Sequence, residues 1–119
     1  MKNKAPLSPS LRIENTVYIS GQVGINPQTS KLYNASFENE VKQMMYNLKL
    51  QLENNGGGFN NLVSVIVYLK SMKDYDTFNT IYSSYFGDKF PTRTCIAVLD
   101  LSLGASVEIS GIAYVSQNK

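Results

Sequence analysis

The chain has 119 residues, 43% of them hydrophobic, which fits one domain with a real core and excludes global disorder. Eleven Lys and Arg against nine Asp and Glu leave a net charge of +2, and the cations are scattered rather than gathered into a nucleic-acid-binding stripe. No His and a single Cys exclude the usual base near neutral pH, an intrachain disulfide and any thiolate-rich metal site.

Catalysis must then rest on Arg, Lys, Glu, Asp, Tyr, Ser, the lone Cys or the backbone. The opening MKNKAPLSPS holds no apolar run of secretory length, and nothing approaches the ~18 apolar residues of a membrane span. The expectation is one domain over residues 1–119, cytoplasmic, with no membrane partner and no metal.

In chain order, residues 11–13 and 16–20 read as a strand pair that turns at Glu14-Asn15. GINPQTSKL, residues 24–32, is rich in Pro, Asn and Ser and reads as a surface loop. Phe37, Val41, Met44, Met45, Leu48 and Leu52 then recur at helical spacing, a core-packing stripe. Ser36 is placed to cap that helix, and the run Gly56-Gly57-Gly58 to stop it.

LVSVIVYL, residues 62–69, is apolar on both alternating faces and predicts a central strand covered on both sides. Asp74 is placed to cap a second helix with Phe78, Ile81, Tyr82 and Tyr85 on one face, ended by Gly87 and Pro91. Two strands close the chain, roughly residues 93–99 and 106–116. The order β-β-α-β-α-β-β predicts an α+β fold, one mixed sheet with two helices on one face. Several strands are apolar on both faces, so the second sheet face is expected to be buried against other copies of the chain.

Two charges interrupt the strand patterns. Arg93 stands at the mouth of the strand that begins after Pro91-Thr92, and Glu108 lies between Ser106 and Ser110 in the last strand. Neighbouring strands bring the two within reach of each other in this reading. Either they pair with each other, or Arg93 is a solvated strand end, or Arg93 grips a carboxylate with its two-pronged donor geometry. In the last case Glu108 is free to orient or deprotonate a water.

Four further positions stand out. Cys95 follows Arg93 by two residues, on the same strand face, and reads as a small buried hydrophobe or a pocket wall. Ser20-Gly21 ends the second strand, as a plain turn or as a bulge with close backbone approach. Asn79 and Tyr82 share one side of the second helix, Tyr82 within its apolar stripe and Asn79 beside it.

VYISGQVGINPQTSKL, NLVSVIVYLKSMKDYDTFNTIYSSYF, FPTRTC and GASVEISGIA together resemble the Rid family, also called YjgF and often labelled L-PSP endoribonucleases. The resemblance runs nearly end to end. It implies a chorismate-mutase-like fold assembled as a homotrimer with pockets between subunits. It also implies hydrolysis of reactive imines and enamines of the 2-aminoacrylate type to 2-keto acids and ammonia, with no cofactor. By position, Arg93 binds the substrate carboxylate and Glu108 positions the attacking water. Ser20, Gly21 and Cys95 lie along the pocket, and Asn79 and Tyr82 line or support it.

The sequence departs from the family pattern at three points. Leu7 stands where the deaminase branch usually has Tyr, and it supplies no hydroxyl. Ser30 replaces a frequent Gly, and Ser110 a frequent Glu. Two other functions follow from these features. One is a binding protein that holds a small 2-keto acid without turnover, which Leu7 favours. The other is a single-strand endoribonuclease or translation inhibitor, as the family label says; the scattered cations and absence of His argue against nucleic acid as a partner.

Overall fold

The computed structural model describes residues 5–116. Strands β1 (Ser10–Ile13) and β2 (Thr16–Gln22) form the expected hairpin, and Glu14 adopts φ 54°, the left-handed backbone that so short a turn requires. The loop after β2 is more ordered than its composition implies. Within it β3 (Ile25–Asn26) and β4 (Lys31–Leu32) pair as a short ribbon. The Asn26 side chain accepts from the backbone amides of Gln28 and Thr29 and so closes the turn between them.

Helix α1 (Phe37–Asn54) begins where the Ser36 hydroxyl accepts a 3.0 Å hydrogen bond from the Asn39 amide. Past its end, Gly56 at φ 81° turns the chain away. A 3₁₀ turn (Phe59–Asn61) leads into β5 (Leu62–Leu69), and a second (Met72–Asp74) leads into α2 (Tyr75–Ser83). Here the expected cap is corrected: the Asp74 side chain makes no capping bond. Ser71 takes that role one turn earlier, accepting from the Lys73 amide, so the chain is already coiled when it reaches Asp74. Strands β6 (Thr92–Ala97) and β7 (Val107–Tyr114) follow.

The five long strands make one sheet in the order β1-β2-β7-β5-β6. It is mixed, because β6 runs parallel to β5 while the other pairs are antiparallel. Alternation then sorts the side chains. Val65, Val67 and Leu69 of β5 and Val107, Ile109 and Ala113 of β7 pack inward against Met44, Met45 and Leu48 of α1 and Phe78 of α2. Both helices therefore lie on one face, as the pattern predicts. The opposite face carries Tyr18, Ile66, Ile96 and Ile112, all exposed in the protomer. β5 is an interior strand, between β7 and β6, yet within the chain it is covered on one side only. The outward half of its two-faced apolar pattern, Ile66 among it, is left exposed in the single chain.

No helix among the described residues is long and apolar enough to cross a membrane.

Arg12 locks the open end of the fold. Its guanidinium donates to the carbonyls of Glu14, Asn55 and Val115 at 2.8, 2.6 and 2.6 Å. These oxygens belong to the hairpin turn, the end of α1 and the residue after β7, so one side chain ties three elements. Arg12→Met keeps the aliphatic stem and removes these bonds. It should lower the unfolding free energy by about 2–3 kcal/mol, read as a reduced urea midpoint at unchanged slope.

Candidate active site

Arg93 is the second residue of β6, opposite Val65 of β5, and therefore points to the helix side of the sheet. There α2 surrounds it with aromatic rings. The guanidinium carbon lies 5.1 Å from the Tyr82 ring centre and 5.6 Å from those of Tyr75 and Phe78. The rings supply cation–π attraction without neutralising the charge. Nη2 also donates to the Tyr75 hydroxyl at 3.3 Å. Among the described residues no carboxylate comes within ion-pair distance of Arg93. A half-buried cation so arranged keeps most of its donor fork uncommitted among the described residues.

A shallow cavity of about 200 Å³ opens beside it, lined by Asn79, Tyr82, Ser83, Phe90, Pro91 and Arg93. Asn79 and Tyr82 line this cavity, and the Asn79 Oδ1 and the Tyr82 hydroxyl are buried without a hydrogen-bond partner among the described residues. Burial pushes the Tyr82 phenol up to about 12 despite the nearby Arg93 charge, so it keeps its proton at neutral pH. Cys95 faces the same side, packed against the core. Burial raises its thiol, which Arg93 only partly offsets, and this is the opposite of what a nucleophilic thiolate needs.

Larger hollows lie elsewhere. One of about 280 Å³ includes Gln22, Pro27 and Asn47, but the Asn47 amide is already satisfied by the Val23 and Ile25 carbonyls. Another of about 560 Å³ runs past Phe59, Lys89 and Tyr114 and shares Phe90 and Pro91 with the smaller cavity. Neither contains Arg93 or Glu108, and chemistry outranks volume in choosing between them.

Glu108 of β7 is opposite Tyr68 of β5. Val65 and Tyr68 are three residues apart, so Glu108 and Arg93 lie on opposite faces of the sheet, offset by about 10 Å along β5. The expectation that neighbouring strands bring the two together within one chain is therefore corrected. Glu108 instead packs over Gly21, at the bulge that interrupts β2 pairing between Ile19 and Gln22. A methyl group added at Gly21 would collide with a Glu108 carboxylate oxygen. Close approach, not a plain turn, is what this glycine permits. Beside it the Ser20 hydroxyl donates to the Ser8 carbonyl at 2.7 Å, which holds the segment containing Leu7 against this end of β2. Among the described residues Glu108 has no hydrogen-bond or ion-pair partner, and burial raises its carboxyl above the ordinary range.

The seven singled-out residues thus fall into two groups on opposite faces of the sheet. Arg93, Cys95, Asn79 and Tyr82 form one on the helix side, and Ser20, Gly21 and Glu108 the other on the open face. Sequence reasoning missed Tyr75, Phe90 and Pro91. The signal for Tyr75 was present: Tyr75, Phe78 and Tyr82 follow i, i+3, i+7 on one helix face.

A family model described as Endoribonuclease L-PSP matches residues 1–115. The chain belongs to this family. Its Rid-like motifs are borne out by relatives and structures alike. A mouse protein named 2-iminobutanoate/2-iminopropanoate deaminase is 40% identical over 91% of this chain and 80% of its own. The crystal structure of RidA from the Antarctic bacterium Psychrobacter superposes with a TM-score of 0.91 at 32% identity, covering 96% of this chain and 92% of the other. TdcF of E. coli, solved with bound serine, gives 0.90 at 25% identity, covering 96% and 91%.

Glu108 gives a pH signature. Its folded pKa is raised, so the native state holds the proton to higher pH than the unfolded chain. The associated stability is complete below the ordinary Glu value of about 4.3 and is lost as pH rises through the raised value. Glu108→Gln should flatten the melting temperature across that window and raise it relative to wild type at neutral pH. Gly21→Ala should displace the carboxylate and impair any activity that needs it, while leaving far-ultraviolet circular dichroism unchanged.

Proposed function

We propose that the protein hydrolyses small 2-imino and enamine acids of the 2-aminoacrylate type, in pockets formed between the subunits of a homotrimer. The observation that carries this reading is the aromatic-walled Arg93, a cation with no acidic partner among the described residues beside a cavity sized for a small carboxylate. The names of the relatives point to the same substrates. Serine bound to TdcF is likewise a small molecule with a carboxylate.

The two groups on opposite faces argue for assembly. A single chain does not present Arg93 and Glu108 to one small molecule, so this reading requires an assembly in which the Arg93 side of one copy meets the Glu108 face of another. Burial of Tyr18, Ile66, Ile96 and Ile112 supplies the driving force.

The chemistry asks little of the residues. Protonation of the enamine at its methylene carbon gives the imine, whose C2 is already electrophilic. Arg93 fixes the carboxylate. Glu108, its proton affinity raised by burial, accepts a proton as water adds to C2 and returns it to the departing nitrogen. The carbinolamine then collapses to the 2-keto acid and ammonia, with one water consumed and no redox change. No cofactor enters these steps.

The test is hydrolysis of 2-aminoacrylate generated in situ. Wild type should be active, and Arg93→Ala should lose about 100-fold or more in kcat/KM. Arg93→Ala and Glu108→Ala chains, each inactive alone, should regain activity when unfolded together and reassembled, since some pockets then receive both intact halves. A silent wild type rescued by Leu7→Tyr would make retention of a 2-keto acid the function to pursue. RNA cleavage lost in Arg93→Ala would instead support the activity in the family description.

A further inference from the structure

The aromatic surround of Arg93 is uneven. Phe78 and Tyr82 present rings at 5.6 and 5.1 Å, and the Tyr82 hydroxyl has no partner at all. Tyr75 presents a ring at 5.6 Å and also a hydroxyl that accepts from Nη2 at 3.3 Å. These contacts do different things. A ring attracts a guanidinium but tolerates its rotation, because the quadrupole has no preferred direction within the face. A hydrogen bond to one nitrogen fixes which edge of the planar fork points where.

We infer that Tyr75 is a positioning residue for carboxylate binding: its hydroxyl tethers Arg93 by Nη2 and leaves the rest of the fork turned to the ligand. This rests on the reading that Arg93 holds a carboxylate. Tyr75 is not among the residues that line the cavity, so it acts through the guanidinium. Its own place is well fixed. Tyr75 is the first residue of α2, directly after the turn that Ser71 caps, and its ring packs against the core. A tether on a firmly held helix start transmits that order to the end of a flexible side chain.

The experiment is titration calorimetry with 2-oxobutanoate on the assembled protein, beside steady-state kinetics on the matching imine. Tyr75→Phe keeps the ring and removes only the hydroxyl. It should weaken 2-oxobutanoate binding about fivefold and raise KM by a similar factor, with kcat unchanged. A role in packing alone would leave both constants untouched, since Phe fills the same space. Tyr75→Leu removes ring and tether together and should weaken binding further. Binding that is lost in Arg93→Ala but unchanged in Tyr75→Phe overturns the inference alone. No binding by wild type, or equal binding by Arg93→Ala, overturns the carboxylate reading and the inference with it.

Discussion

Both helices pack on the same side of the five-stranded sheet, and strand alternation does the rest. Once Val65, Val67 and Leu69 are committed inward, Ile66 and Tyr68 must face outward, and the neighbours on β6 and β7 are assigned with them. A one-residue slip of β7 against β5 would turn Glu108 into the core and Ile109 out of it. The register is therefore held by the same apolar burial that holds the fold. The position of each functional side chain is a by-product of that burial, not a separate achievement.

The division of polar groups follows the same logic. On the helix side the surroundings are aromatic, which suits a guanidinium because ring faces stabilise it without cancelling its charge. On the open side Glu108 rests on a glycine in a bulged strand, where the surface can be covered only from outside. Among the described residues neither the Arg93 guanidinium nor the Glu108 carboxylate has an ion-pair partner, and burial already favours the proton on Glu108.

Much of this was readable in the residues. The apolar period of α1, the Ser36 cap, the Gly56 exit and the strand pair around Glu14-Asn15 are local features, and local features survive into the structure. The failures share a cause, which is dependence on contacts distant in sequence. Arg93 and Glu108 each interrupt a strand, but which faces they occupy depends on the parallel β5–β6 pairing and the antiparallel β5–β7 pairing, and neither register is written in a single strand. The close fit of Glu108 over Gly21 joins residues 87 positions apart. The β3–β4 ribbon escaped for a different reason: one Asn side chain organises it, within a composition that otherwise reads as loop. Tyr75 was missed through the same dependence on distant contacts: its face of α2 was readable, but its contact is with Arg93, 18 residues away on another element.

The rings of Phe78, Tyr82, Phe86 and Phe90 touch in series, with centroid separations of 5.4, 4.8 and 5.6 Å. The first is wholly buried and the last is half exposed at the cavity rim. The wall of the site and the interior of the protein are thus one continuous stack. A change at Phe86, which touches neither Arg93 nor the cavity, shifts Phe90 and with it the width of the entrance. A substitution that widens the mouth therefore also removes packing from the interior, so entrance size and fold stability are coupled through these four rings.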